Sequence, residues 1–338
     1  MRKSSFFVVI GAVAVIGGVT ALALWPKERL APAVLQPSPT VTPEPVVAPT
    51  VLEPSPTPVA SALQFVAFGD WGNRPTMKRE VFRQLERTQQ ELGFTDIVTA
   101  GDNNYGTADT FDAFVQAELG ILLARGVKLH MTLGNHDVES DEKRVNQTGN
   151  MSYGEWDCSA CLRSAPPSAD RRYYSFYKAP VRFIMLDSDL MLEGDEDQYR
   201  WAVEELTASN VANESWQVLV FHHPPFSAAQ THGGIKELVD RYKPLLPALG
   251  VDVVFNGHDH TYERIATTDA CGAGVQYIVT GAMDVRAGDI KTPNGCTASY
   301  WDKSQAFVYV SATPTQFSAQ VFTADGQVVD TWEILRQP

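Results

Sequence analysis

The sequence predicts an α/β domain, and three observations predict it. Five runs of β-branched and apolar residues recur between Leu63 and His260, each breaking into a compact polar signature. Segments with apolar residues at helical spacing lie between several of them. Beyond Tyr277 the pattern changes to the two-residue alternation of antiparallel strands.

Taken in order, LQFVAFGDWG (residues 63–72) reads as a strand ending in Gly69-Asp70. A helix is expected over 76–92, with Val81, Phe82, Leu85 and Leu92 on one buried face. DIVTAGDNNY (96–105) is a second strand ending in Gly101-Asp102, and 111–123 is a second amphipathic segment. VKLHMTLGNHD then ends a third strand in Asn135-His136-Asp137. Residues 145–168 read as an irregular insertion, and RRYYSFY with VRFIMLDS as a hairpin or adjacent strand pair. A helix around 198–208 precedes WQVLVFHHPP (216–225), which ends in His222-His223. A helix over 235–249 leads into VDVVFNGHDH (251–260), the stretch around which the chain is organised. Its apolar start is the pattern of a strand buried on both faces, and Asn256-Gly257 breaks it. AFVYVSA, QFSAQVF and QVVDTW supply antiparallel strands in the tail.

The first part of the chain reads differently. Residues 6–25, FFVVIGAVAVIGGVTALALW, carry no charge and are long enough to cross a bilayer as a helix. Arg2 and Lys3 precede them, and Trp25 sits where an interfacial aromatic belongs. Ala21-Leu22-Ala23 and Ala31-Pro32-Ala33 are poor cleavage triplets, so an uncleaved anchor over 1–25 is expected. A cleaved signal, giving a secreted protein, is the alternative, and both place the remainder outside the cytoplasm. Residues 26–62 are rich in Pro, Thr, Val and Ala, the composition of a semi-rigid stalk. Residues 63–338 are enough for one large α/β domain with its own core.

The formal net charge of −13 argues against a general nucleic-acid or anionic-membrane surface, so no nucleic-acid partner is expected. Bound cations would still let an acidic protein hold phosphate. Four cysteines in an oxidising compartment imply two disulfides. The simplest pairing joins Cys158 to Cys161 and Cys271 to Cys296, though the former could also be a redox or zinc pair.

Each strand-end signature has an ordinary explanation as a turn or helix cap. Five in one chain, all at strand ends, are hard to produce by turn statistics. Six of the seven histidines lie in or beside them, and only His130 reads as an ordinary buried residue. His258 and His260, two residues apart past a strand end, can face one crevice while Asp259 points elsewhere. Imidazole there makes a metal site the first hypothesis.

The ordered set resembles the metallophosphoesterase superfamily and, within it, the small tartrate-resistant branch of the purple acid phosphatases. The family pattern is DxG, GDxxY, GNH(D/E), a strand-terminal histidine and GHxH. Here these are Asp70-Trp71-Gly72, Gly101 to Tyr105, Gly134 to Asp137, His222-His223-Pro224 and Gly257 to His260. The resemblance implies a four-layer α/β/β/α sandwich with two mixed sheets. It also implies hydrolysis of phosphate monoesters by in-line attack of a metal-bound hydroxide. Most of the superfamily has DxH; glycine at 72 removes that ligand, and Tyr105 replaces it with a hard phenolate suited to Fe(III). The implied cofactors are Fe(III), held by Asp70, Asp102, Tyr105 and His260, and a divalent Fe, Zn or Mn. The divalent ion would take Asp102, Asn135, His222 and His258, with Asp102 bridging. His223 is expected to pack or line the pocket.

A leaving alkoxide needs a proton, and His136 is the first candidate donor, with Asp137 to orient it. His232, read as standing at a helix start, is the second. The expected partners are small phosphate esters and, through residues 1–25, a membrane. Two rival readings stand beside a phosphomonoesterase: a phosphodiesterase or nucleotide hydrolase, and a non-hydrolytic surface iron-binding or redox protein.

Overall fold

The computed structural model describes residues 62–72, 80–140, 172–284, 288–290 and 292–336. The expected anchor, the stalk up to Ser61, and the 145–168 insertion with Cys158 and Cys161 lie outside the described residues. Among those that are described, no helix is long and apolar enough to cross a membrane.

Among the described residues, thirteen strands form two mixed sheets. The first begins with β1 (Leu63–Phe68), β2 (Asp96–Thr99) and β3 (Lys128–Met131), paired in parallel. It continues through β11 (Ala306–Ala312), β12 (Gln316–Thr323) and β13 (Val328–Leu335), antiparallel from β1 outward. The second sheet has parallel β5 (Val181–Met185), β6 (Trp216–Val220), β7 (Val253–Asn256) and β9 (Gln276–Thr280) at its centre. β4 (Tyr174–Lys178) closes one side as a hairpin with β5, and β8 (Tyr262–Ile265) and β10 (Thr297–Trp301) close the other.

Strand alternation builds the layers. Phe65 on β1 points between the sheets and meets Phe183 at 5.0 Å and Phe255 at 6.3 Å, both edge-on. The opposite face of the first sheet is covered by α1 (Glu80–Leu92) and α2 (Phe111–Ala124), through Val81, Phe82, Leu85, Val115 and Leu119. On the second sheet Ile184, Leu219, Val254 and Tyr277 face outward beneath α3 (Ser188–Glu193), α4 (Glu196–Val211) and α5 (Lys236–Tyr242). The result is the expected α/β/β/α sandwich.

Local differences have local causes. Leu92 is 39 % exposed at the end of α1 rather than on its buried face. The helix expected to reach 249 is regular only to Tyr242, because Pro244 and Pro247 lack the amide it needs, and turns fill the rest. His232 therefore lies in the loop before α5, not at a helix start. α3 was not expected, yet its ends are ordinary. Asp187 accepts from the amides of Asp189 and Leu190, and left-handed Gly194 stops it. Cys271 and Cys296 are joined as the sequence suggested.

Candidate metal centre

The parallel strands of both sheets end on the same side, and their C-terminal loops meet there. Asp70, Asp102 and Asn135 follow β1, β2 and β3; His222 and His258 follow β6 and β7. The two sheets are tied at this point by the Gly69 amide, which donates to the Thr280 carbonyl at 2.8 Å. The turns are tight: Asp70, Asp102 and His258 all have positive φ, at 57°, 52° and 70°. A side chain there costs about 1–3 kcal/mol, and such strain persists only where the surroundings enforce it.

Two sets of donor atoms converge. In one, the Tyr105 hydroxyl lies 3.2 Å from Asp70 Oδ1 and 3.1 Å from His260 Nε2, which is itself 3.3 Å from Asp70 Oδ1. In the other, His222 Nε2 lies 3.1 Å from Asn135 Oδ1, 3.2 Å from His258 Nδ1 and 3.4 Å from Asp102 Oδ1. Asp102 stands between the sets, with Oδ1 3.4 Å from His222 Nε2 and a carboxylate oxygen within 4.8 Å of one of Asp70. Ligand atoms of Asp70, Asp102 and His222 all lie within 4.8 Å of one another. Asp70, Asp102, Tyr105, Asn135, His222, His258 and His260 are thus brought together at one place.

Hydrogen bonds behind the site aim these atoms. His222 Nδ1 faces the Ala100 carbonyl at 2.8 Å, so it must carry the proton, and Nε2 presents a lone pair inward. Asp70 Oδ2 accepts from the His258 amide at 2.9 Å, leaving Oδ1 for the centre. His260 Nδ1 lies 3.4 Å from Asp284, a carboxylate that sequence reasoning did not single out.

The electrostatics fit a cation. Burial pushes the Asp70 carboxyl up to about 7 despite the opposing pull of His222 and the His258 amide. Burial first, and then Asp70, do the same to Asp102, also to about 7. Burial and these two carboxylates hold the Tyr105 phenol protonated far above its ordinary range. Burial, with the neighbouring imidazoles, drives His258 well below the histidine range and keeps it neutral. Carboxylates driven to protonate beside a His258 imidazole driven to stay neutral form a set that a positive ion satisfies. Asp70, Asp102, Tyr105, Asn135, His222, His258 and His260 together supply hard oxygens and imidazoles of the kind that hold iron and zinc.

The candidate proton donors lie at the rim. His136 is half exposed, with Nε2 4.0 Å from Asp102 Oδ2 and its ring 4.7 Å from that of Tyr105. Asp137 does not orient it. Its buried carboxylate instead accepts from the Gly134 amide at 2.8 Å, the Asn104 amide at 2.9 Å, and both the amide and side chain of Asn103. It locks the GDNNY and GNHD loops together, and Glu139 is the residue hydrogen-bonded to His136 Nδ1. The exposed His232 ring lies 4.1 Å from that of His258, tilted by 35°. His223 packs 4.4 Å from the same ring, held by Ser188 at 2.8 Å and kept neutral by burial, at about 3. His130 is buried apart, paired with Asp96 at 2.8 Å and stacked on Phe176.

The chain is similar to known proteins in sequence and in fold. The calcineurin-like phosphoesterase profile matches residues 63–262. The chain is 27 % identical over 321 residues to tartrate-resistant acid phosphatase type 5 of Rattus norvegicus, covering 82 % of this chain and 92 % of that one. Two solved structures share the fold. One is that of GAP50, the anchor in the inner membrane complex of Plasmodium, at TM-score 0.64 and 17 % identity, covering 82 % of this chain and 90 % of that one. The other is a purple acid phosphatase from yellow lupin (Lupinus luteus) seeds, at TM-score 0.63 and 19 % identity, covering 83 % of this chain and 55 % of that one.

Proposed function

The chain belongs to the calcineurin-like phosphoesterase family, as a hydrolase of the metallophosphoesterase superfamily, and on that footing we propose that it is a dinuclear acid phosphatase acting on phosphate monoesters. The observation that carries the reading is the pair of converging donor sets that share Asp102. In this reading Asp70, Asp102, Tyr105 and His260 hold Fe(III). Asp102, Asn135, His222 and His258 hold a divalent ion, which can be Fe(II), Zn or Mn. Three anionic oxygens suit the trivalent ion, whereas the amide and imidazoles suit the softer one.

When bound, the metal pair supplies positive charge for the phosphate and acidifies a water for in-line attack on phosphorus. The protein's own residues do the rest. His136, exposed at the rim and held by Glu139, delivers a proton to the leaving alkoxide. Asp137 fixes the two loops that carry Asp102, Tyr105 and Asn135, so these groups are placed before substrate arrives. We further propose that residues 1–25 tether the domain to a membrane with residues 63–338 on the extracytoplasmic side. Recovery of soluble secreted protein starting beyond Trp25 would instead favour a cleaved signal.

A panel of phosphate monoesters, diesters and nucleotides, run on the metal-loaded full chain at acid and neutral pH, tests the activity. Monoesters are expected to be turned over far faster than diesters. Preference for diesters or nucleotides would move the chain elsewhere in the superfamily. Full metal content without turnover would support a non-hydrolytic surface role.

A further inference from the structure

His232 is held in an unusual way for an exposed histidine. It lies in a loop without regular structure, yet its ring packs against that of His258 at 4.1 Å, tilted by 35°. Both of its chain neighbours are gripped by carboxylates from elsewhere in the fold. On one side, Asp289 Oδ1 accepts from the Thr231 amide at 3.1 Å and from the Thr231 hydroxyl at 2.7 Å. The Gln230 amide donates to the Asp289 carbonyl at 3.3 Å. On the other side, the Gly233 amide donates to Asp259 Oδ1 at 3.2 Å, and Gly233 turns with φ +80°. Further back, Glu263 Oε2 takes the Ala228 amide at 2.7 Å.

Asp289 is itself anchored. The flanking Ile290 amide donates to buried Asp302 Oδ2 at 3.0 Å, and the Gly288 amide donates to the Asp302 carbonyl at 3.2 Å. The chain from Asp302 through Asp289 and Thr231 to His232 is continuous. Neither Asp289 nor Thr231 is among the proposed metal ligands.

We propose that Asp289 is a positioning residue that acts through Thr231 to hold the His232 imidazole over the metal centre, where it contacts the phosphate ester. The inference rests on the phosphatase reading for what His232 touches, but the clamp itself does not. Without the clamp, the loop would sample many orientations, and His232 would face the centre in only some of them. Rigid placement of a contacting group is worth a large factor, since about 1 Å of misplacement can lower the rate on the order of a hundredfold. Asp289 uses a single acceptor oxygen for both Thr231 donors, so an amide side chain can replace it. Asp259 occupies the matching place on the other side, but it lies between His258 and His260 and cannot be changed without disturbing them.

The experiment compares Asp289→Ala, Asp289→Asn, His232→Ala and the Asp289→Ala/His232→Ala double variant in the metal-loaded full chain. Two quantities are measured: kcat and KM for an aryl phosphate, and amide hydrogen exchange over residues 227–234. Asp289→Ala is expected to lower kcat/KM by about tenfold, and Asp289→Asn to recover most of that loss. In the His232→Ala background, Asp289→Ala should add less than about twofold, because residues acting through one group are not additive. Exchange at Thr231 should speed up in Asp289→Ala and stay slow in Asp289→Asn, with exchange in β6 and β7 unchanged. The proposal is overturned if the Asp289→Ala loss is the same with and without His232. Equal damage from Asn and Ala, or unchanged Thr231 exchange, would overturn it as well. An inactive wild type would remove the phosphatase reading, while the exchange measurements would still decide whether Asp289 holds the loop.

Discussion

A β-carbon built on Gly72 would stand 2.6 Å from the Tyr105 amide nitrogen and 2.7 Å from Cδ2 of its ring. The space that a side chain at 72 needs is therefore filled by Tyr105. The absence of a histidine at 72 and the proposed ligand role of Tyr105 are thus linked by packing, since a side chain at 72 and this tyrosine placement exclude each other.

It follows that Gly72→Ala should push Tyr105 out of place although alanine carries no functional group. Overpacking of this kind costs about 1–3 kcal/mol. Thermal unfolding and iron content should both fall in Gly72→Ala, with iron lost in larger proportion than the divalent metal. A Gly72→Ala protein with wild-type stability and full iron would show that the Tyr105 loop has room to spare.

The shifted groups predict how metal uptake depends on pH. Burial raises Asp70 and Asp102 to about 7, so below that pH the metal-free site holds their protons. Burial and the same carboxylates keep the Tyr105 phenol protonated throughout, while His258 is already neutral and releases nothing. A cation must expel what is bound, so affinity should weaken and proton release should increase as pH falls through 7. Release should be greater near pH 6 than near pH 8 by up to about two protons, as the two carboxyls join in. Calorimetric titration in two buffers of different ionisation enthalpy measures the number. Release that does not rise on acidification would mean that the two aspartates are ionised in the empty site.

His136 and Glu139 give a paired prediction. His136→Ala should lower kcat about 10²–10⁴-fold for esters with poor leaving groups and far less for activated aryl phosphates, because only the former need protonation. Glu139→Gln should lower the same substrates' rates by a smaller factor, since it weakens the hold on His136 Nδ1 and leaves the ring in place. Metal content should not change in either. Equal losses on both substrate types would remove His136 from that role.

The proposed strand-end ligands were legible because each is a polar residue that abruptly ends an apolar run or closely follows its end, a signal carried by nearby positions. That signal placed Asp70, Asp102, Asn135, His222, His258 and His260 at the ends of β1, β2, β3, β6 and β7 or just beyond. The role of Asp137 was not legible, because whether its carboxylate turns toward His136 or back toward the Gly134, Asn103 and Asn104 amides depends on a loop closure formed only in the fold. Glu139, Asp284 and Asp289 were missed for a related reason. Nothing in their local pattern separates them from surface acids, and the partners of Asp284 and Asp289, His260 and Thr231, lie far away in sequence, although Glu139 lies only three residues from His136. α3 was overlooked although Asp187 and Gly194 mark its ends, since a helix of 6 residues offers too little periodicity to read.

The most direct test of the central claim is the visible spectrum and metal content of the purified iron-loaded protein, set beside Tyr105→Phe. The substitution keeps the ring and its contact with His136 and deletes only the donor oxygen. The account predicts a purple or violet wild type with a charge-transfer band. In Tyr105→Phe that band should be absent and iron held more weakly, while the divalent metal is largely retained through Asp102, Asn135, His222 and His258. A colourless wild type, fully active with two divalent ions, would contradict it and leave Tyr105 as a packed loop aromatic.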